Sequence, residues 1–293
     1  MNLVFDAAKA GARARGQVKS SSAKPLHLAV MVGKGCDLGL ARAVKLALRP
    51  KTASCRLYVA GMGGGEQEPV VHALADAAVF LAGDDAGACA DLYRAYRARR
   101  VPCHVLVSLD AAASERARAL IAREVHEEDL VVCDEGSAAE VLGAWLLDAL
   151  PDFELALGAS LDCCREAQGR RIVGQAVCNN AAIGALTFLK GADTPAMLAC
   201  EVAMLFKLAG IYGVPLDKDR LGEVAGLTAF SVACKQVAGL ALRLPLPAAV
   251  VKAGVAAAAT YLAGNVVQGR MRRSAPSSPE PKPPFSQEIP QGA

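Results

Sequence analysis

The chain has 293 residues, of which 53% are hydrophobic, 4% aromatic and 21% charged. This length allows two domains, and the apolar fraction excludes a chain that is disordered throughout. The net charge of +3 is too small to indicate nucleic acid as a partner, and no stretch alternates basic with aromatic residues. The composition therefore indicates a globular protein with an apolar excess, and the position of that excess along the chain carries more information than its size.

Residues 1–25 form a basic N-terminal arm in which Lys and Arg outnumber a single acid, Asp6. The arm lacks the continuous apolar segment of a secretory signal, so the sequence does not predict export. A frayed arm is the favoured interpretation, and a basic amphipathic helix on an anionic membrane or an organelle transit peptide are the alternatives. Its basic residues are Lys9, Arg13, Arg15, Lys19 and Lys24.

Residues 26–152 predict an α/β domain with a doubly wound, mostly parallel sheet. Short apolar runs alternate with helical patterns, which is typical of parallel strands covered on both faces. The predicted strands are Leu28–Val32, Ser54–Val59, Ala77–Leu81, His104–Ser108 and Leu130–Cys133. The predicted helices are Leu38–Leu48, Pro69–Ala75, Gly87–Arg99, Ala111–Arg123 and Ala138–Leu150.

The ten cysteines favour free thiols in a reducing cytosol. No CxxC pair is present, and most cysteines fall singly inside apolar runs, apart from the adjacent Cys163 and Cys164. The four histidines have no spacing suited to zinc, so we expect no metal site.

Residues 160–270 predict an all-α domain of apolar helices, followed by a disordered Ser/Pro-rich tail over 271–293. Each apolar run approaches the roughly 20 residues that span a bilayer, but the runs are rich in Ala and Gly and the aromatic belt is thin. Membrane association is therefore better supported than membrane crossing. The runs are Ile172–Leu189, Thr194–Leu216, Val224–Leu242 and Ala253–Gly269.

Polar residues interrupt or flank these runs. In a bilayer they would face the bundle interior or pair, whereas in a soluble bundle they would cap helices or face water, and the sequence leaves both interpretations open. Asp193, just before Thr194 and Pro195, indicates a helix start. The residues are Asn179, Asn180, Asp193, Glu201, Lys207, Lys235 and Lys252.

The loop after the first strand is the first candidate binding site, because ligands of such sheets bind beyond the carboxyl ends of the strands. A phosphate-binding loop requires the spacing GxxxxGK[ST]. Counting from Gly33, however, Leu38, Gly39 and Leu40 stand where the second Gly, the Lys and the Ser/Thr belong. Lys34 could contact an anion, but a simple strand-to-helix turn is the more common explanation of this pattern.

Other loops contain polar residues with a simple structural interpretation. The Gly-rich loop after the second strand includes Gly63 and could surround an anion, although a mobile turn is more common. Asp84 and Asp85 are expected to cap a helix, and Asp110 could accept from a guanine edge or cap a helix. Residues 126–129 indicate a solvated helix end, and no catalytic residue stands out.

Residues 26–152 resemble an Era-like small GTPase domain with eroded motifs. Residues 60–63 (Ala-Gly-Met-Gly) stand where that family has Asp-x-x-Gly and keep Gly63. Residues 107–110 (Val-Ser-Leu-Asp) stand where it has Asn-Lys-x-Asp and keep Asp110, and Cys133–Trp145 looks like the Ser-Ala loop and closing helix. The resemblance implies a nucleotide-binding site at Gly33, Lys34, Gly63 and Asp110, but the Lys and Ser/Thr on which phosphoryl transfer rests are absent.

Residues 171–269 resemble the helical domain of the YcjF-type membrane proteins, which occur with such GTPases. The residues that carry this are Gln175, 179–184 (Asn-Asn-Ala-Ala-Ile-Gly), 191–195 (Gly-Ala-Asp-Thr-Pro), 210–213 (Gly-Ile-Tyr-Gly) and 259–264 (Ala-Thr-Tyr-Leu-Ala-Gly). The resemblance implies membrane association and a GTPase partner, with no enzymatic activity attached.

The sequence thus predicts a membrane-associated, non-catalytic protein in which a pseudo-GTPase-like docking module on the cytoplasmic side is joined to a membrane-interacting helical domain. Its expected partners are the cytoplasmic membrane, a GTPase or other protein, and a second copy of the chain; no cofactor is expected. The alternatives are a noncanonical NTPase that binds GTP or GDP, and a soluble helical interaction protein.

Overall fold

The computed structural model describes residues 15–62, 71–84, 86–109, 123–186, 193–214 and 247–275. A five-stranded, all-parallel sheet in the order β2-β1-β3-β4-β5 forms the first part of the structure. The predicted doubly wound α/β class is confirmed. The strands are β1 (Leu26–Gly33), β2 (Cys55–Met62), β3 (Ala77–Leu81), β4 (Cys103–Ser108) and β5 (Leu130–Cys133).

Helices cover the sheet and continue into a helical layer. Residues 15–22 are helical (α1), so the described part of the basic arm is folded rather than frayed. The helices of the sheet domain are α2 (Leu38–Ala47), α3 (Ala86–Ala98) and α4 (Ala138–Ala149). The helices that follow are α5 (Glu154–Ser160), α6 (Asp162–Leu186), α7 (Asp193–Tyr212) and α8 (Ala248–Ser274).

Each face of the sheet has its own hydrophobic core because successive strand residues point to opposite faces. In β1, Leu26, Leu28 and Val30 point into the α2/α4 core, which lies under those two helices. Ala29 and Met31 point into the α3 core, where Phe80, Tyr93 and Tyr96 also lie. Burial on both faces explains why these strands are continuous apolar runs instead of alternating ones.

Helix α6 extends from the α2/α4 core into a third core, the helical core, which it forms with α7 and α8. Near its start, Cys164 is buried in the α2/α4 core together with Leu157 and Leu161. About two turns further along the helix, Ile172 and Val173 are buried in the helical core. With 25 residues the helix is about 37 Å long, which is enough to reach both. The helix that opens the predicted second domain therefore completes the core of the first.

The predicted elements agree with the observed ones along most of the chain. All five strands are found within three residues of their expected bounds, and the helix predicted to begin near Thr194 starts at Asp193. The helix predicted over Pro69–Ala75 is wrong for the described residues 71–75, which form a turn. There the His72 amide donates to the Tyr96 hydroxyl, 3.1 Å away, and the His72 ring stacks on Tyr58. The predicted helix at Val224–Leu242 and residues 111–122 of the one at Ala111–Arg123 lie outside the described residues.

The solvated helix end predicted at residues 126–129 is also partly wrong. Residues 127–129 form a short 3₁₀ helix, and Asp129 at its end is buried. Its carboxylate accepts a hydrogen bond from the Tyr93 hydroxyl at 2.6 Å and lies 3.7 Å from Arg97. Burial and this bond to Asp129 raise the pKa of Tyr93 to about 12. The carboxylate is internal because two residues of α3 supply its partners, which no local pattern reveals.

His104 of β4 should make folding sensitive to acid. Its ring is 3% exposed, stacks on Trp145 with the centroids 4.7 Å apart, and has no hydrogen-bond partner for either nitrogen. Burial lowers its pKa from 6.5 to about 4, although the charge of Asp129 opposes this. Below pH 6.5 the unfolded chain therefore binds a proton that the folded chain excludes, and stability falls as the pH drops toward 4. We expect this group to cost about 2 kcal/mol between pH 7 and pH 5.

Urea denaturation at the two pH values measures this cost. The His104→Phe variant keeps a ring against Trp145 and should lose about 2 kcal/mol less than the parent over the same pH interval. Equal losses in the two proteins would contradict the assignment.

The crossing of α4 and α6 should not tolerate a side chain at Gly143. A Cβ built there would overlap the Cys163 carbonyl oxygen, which is backbone and cannot rotate away. Gly143→Ala should therefore destabilise the protein by about 1–3 kcal/mol in thermal or urea denaturation. Gly174→Ala is the matched control, since this exposed glycine of α6 has nothing within 4 Å of its Cβ position. The control should gain up to about 1 kcal/mol from helix propensity, and similar losses in both variants would refute the crossing as the cause.

Candidate functional site

The loop between β1 and α2 is a tight turn held by backbone hydrogen bonds. The Cys36 amide donates to the Gly33 carbonyl at 3.2 Å, and Gly35 has a φ of 73°, as the third residue of a type II turn requires. Lys34, the second predicted site residue, is exposed on this turn. The turn places Gly33 and Lys34 at the carboxyl edge of the sheet, as the sequence predicts.

This turn, the β1 turn (residues 33–36), is in close contact with the loop that follows β3. A Cβ on Gly33 would lie 2.6 Å from the Gly83 nitrogen, and one on Gly83 would overlap the Lys34 carbonyl oxygen. That carbonyl also accepts a hydrogen bond from the Asp84 amide at 2.8 Å. The two glycines therefore permit close contact between neighbouring loops, a role that requires no ligand.

The start of α2, where a bound phosphate would lie, is already capped by the protein. Asp37 is its N-cap, and one carboxylate oxygen accepts a hydrogen bond from the Leu40 amide at 2.7 Å. A phosphate on a helix N-terminus uses such amides, so the Asp37 side chain competes directly for the same donor.

Two further carboxylates surround this turn. Glu135, from the loop after β5, has an oxygen 2.7 Å from the Cβ position of Gly39, and the Asp84 carboxylate abuts Gly35. Together with Asp37 they place three acidic side chains around a turn whose basic residue is Lys34. This arrangement disfavours a bound phosphate, because like charges repel an incoming anion. In the sequence these three acids lie far apart, in three different loops, so no local pattern predicts that they meet.

The loop after β5 is ordered by a reciprocal pair of residues. The Ser137 amide and hydroxyl donate to one Asp134 carboxylate oxygen at 2.7 and 2.6 Å, and the Asp134 amide donates to the Ser137 hydroxyl oxygen. These bonds from Ser137 lower the pKa of Asp134, which is exposed. They hold the turn that leads into α4, so Asp134 is a structural residue of the loop.

Gly63 and Asp110, the other two predicted site residues, lie outside the described residues, as does Asp85. The Asp84 amide donates to the Lys34 carbonyl, so Asp84 takes part in a contact between two loops. Among the residues that the structure describes, no group of three or more His, Cys, Asp or Glu side chains is arranged to hold a metal ion.

The described cysteines are free thiols, and most of those in the sheet domain are buried. Burial raises the pKa of Cys55 to about 11 and that of Cys103 to about 12. Both thiols therefore stay protonated at neutral pH and are weak nucleophiles.

The helical layer contains buried polar side chains at helix contacts. The Asn180 side-chain amide of α6 donates to the Thr260 hydroxyl of α8 at 2.8 Å, and the Gln268 amide donates to the Tyr212 hydroxyl at 3.3 Å. Glu201 of α7 is also buried, whereas Asn179 is exposed. Among the polar residues of this region, Asn180 and Glu201 thus face the bundle interior; Lys235 lies outside the described residues.

One helix of the described chain, Ala249–Ser274, is long enough and apolar enough to cross a membrane, and 28% of its most apolar 18-residue stretch is buried. By length and composition alone this is weak support for membrane association, because core helices of soluble proteins have the same properties.

Comparisons with known proteins add no relative to this picture: no protein-family model matches the chain, and no curated protein matches it.

The Asp37 cap should matter for stability. Asp37→Ala removes the acceptor of the Leu40 amide and should destabilise the protein by about 1 kcal/mol, whereas Asp37→Ser restores an acceptor and should lose only a small part of that. Urea denaturation midpoints of the two variants measure the difference. If Ala and Ser variants are equally stable, the carboxylate does not cap α2.

Proposed function

We propose that the protein is a membrane-associated, non-catalytic protein in which the sheet domain is a degenerate GTPase-like docking module on the cytoplasmic side and the helical layer contacts the membrane. The observation that carries the proposal is helix α8, which combines the length and apolarity of a membrane helix with a large exposed surface.

The surroundings of the β1 turn support a module that does not transfer phosphate. Asp37 occupies an amide at the start of α2, and Glu135 and Asp84 add negative charge beside it. The chain also has Gly39 and Leu40 where a phosphate-binding loop has its Lys and Ser/Thr. A site with these groups lacks the cations and the magnesium ligand on which phosphoryl transfer depends.

The free side of β2 supports docking of a protein partner. This strand is at the edge of the sheet and pairs with β1 alone among the described strands. Its one charged residue, Arg56, lies near its start, and no charge follows between Leu57 and Met62. Val59 in its middle is 62% exposed. Edge strands without charges or prolines pair readily with a strand of another chain. A GTPase or a second copy of this chain, the partners expected from the sequence, would dock here.

Two measurements on the full chain test this function. In fractionated cells the protein should sediment with the membranes, and in calorimetric titrations with GTP or GDP and magnesium it should release no heat. Recovery in the soluble fraction alone would contradict membrane association. Micromolar binding of either nucleotide would contradict the non-catalytic assignment and support the alternative of a noncanonical NTPase.

A further inference from the structure

Helix α8 has an apolar side that no described residue covers. Large hydrophobic residues on this side are more than half exposed: Val250 is 59%, Leu262 57% and Val266 56% exposed. They recur with smaller residues at intervals of three or four, so they lie on one side of the helix. We call this side the outer stripe: Val250, Gly254, Ala258, Tyr261, Leu262, Asn265 and Val266, all exposed and none charged.

The opposite side of α8 is fixed to the protein. Val251, Ala263, Val267 and Met271 are buried, and most of them lie in the helical core. Thr260 accepts the hydrogen bond from Asn180 of α6. Leaving this position would expose the apolar residues and break a buried polar contact. The helix therefore presents only its outer stripe to the surroundings.

The register between α8 and α6 argues against a membrane-spanning pair. Thr260 lies beside Asn180, and the Cβ position of Gly169 abuts Gln268, so the two helices run antiparallel over most of their length. Exposed residues of α6 at the same depth as the middle of α8 include Gln175 and Asn179. If the pair crossed a bilayer, these amides would face acyl chains without partners, which is costly.

The charge on α8 indicates the kind of surface that it meets. Residues 247–275 contain no acid, and three arginines follow the outer stripe: Arg270, Arg272 and Arg273, all exposed. Arg272 is 3.8 Å from the Glu166 carboxylate, an exposed pair of little energetic weight. An apolar side next to a basic end is typical of helices that lie in the surface of an anionic membrane. Tyr261 adds a ring suited to the headgroup level.

We propose that α8 lies in the plane of the membrane, with its outer stripe among the outermost acyl chains and its arginine end on anionic lipid headgroups, and that it does not cross the bilayer. This inference rests on the proposed membrane association and specifies its geometry and its lipid class.

Vesicle sedimentation of the purified full chain tests the lipid class. Binding should be strong to phosphatidylcholine vesicles that contain phosphatidylglycerol, weak to pure phosphatidylcholine, and weakened by salt. Replacing the three arginines with Gln (R270Q, R272Q and R273Q together) should lower the partition coefficient for the anionic vesicles by about 100-fold. Arg42→Gln, at an exposed arginine of α2, is the matched control and should leave it unchanged.

A second pair of variants tests the outer stripe. Leu262→Gln combined with Val266→Gln should lower the partition coefficient at least about 10-fold. Leu46→Gln, at a leucine of α2 that is 61% exposed, should have no effect. Circular dichroism spectra equal to that of the parent show that the variants are folded.

Extraction of cell membranes with alkaline carbonate tests the geometry, and it should release the protein. Retention in the carbonate pellet would overturn the in-plane placement, and so would vesicle binding that the stripe variants leave unchanged; membrane association itself would survive both. Binding to neutral and anionic vesicles alike would overturn the lipid class. Absence of binding to any vesicle, together with a soluble protein in cells, would refute the proposed function as well.

Discussion

Helix α6 belongs to two hydrophobic cores, and the rest of the structure depends on this sharing. Its first turn closes the α2/α4 core through Cys164, and its middle forms the helical core through Ile172 and Val173. The crossing with α4 is so close that only a glycine fits at position 143. Because a single rigid helix connects the two parts, the direction of the helical layer is set by the sheet. A displacement of α6 would therefore disturb both cores together.

The carboxyl edge of the sheet is where ligands of such sheets bind, but here its loops contact each other and its side chains are mostly acidic. Gly33 and Gly83 allow two loops to touch, and Asp37 satisfies the amide that a phosphate would use. Gly39 and Leu40 stand where a phosphate-binding loop has its Lys and Ser/Thr, and acidic side chains surround the turn, so the turn lacks the groups that would bind a phosphate. In the function that we propose, the edge strand β2 provides a surface for protein contacts, and no nucleotide is required.

The two sides of α8 have different surroundings, which the average apolar content of the helix does not distinguish. The inner side of α8 joins α6 through apolar residues and the bond between Asn180 and Thr260, and the outer side displays an uncharged stripe that ends in arginines. Apolar content alone would equally suit a spanning helix. For the membrane association that we propose, the exposed amides on α6 at the same depth make a position on the membrane surface less costly than a spanning one.

The sequence by itself determined the five strands, the helices α2, α3 and α4 beside them and the position of the first loop, but not the turn at residues 71–75. Continuous apolar runs and helix-start signals predict the bounds of these elements to within a few residues of the observed ones, as β3 and the start of α7 at Asp193 illustrate. Tertiary structure alone decided that Asp129 is buried under Tyr93, that Glu135 meets the turn after β1, and which side of α8 remains exposed. These outcomes depend on groups tens of residues apart in the chain, and a local periodicity carries no information about which distant side chain arrives as a partner.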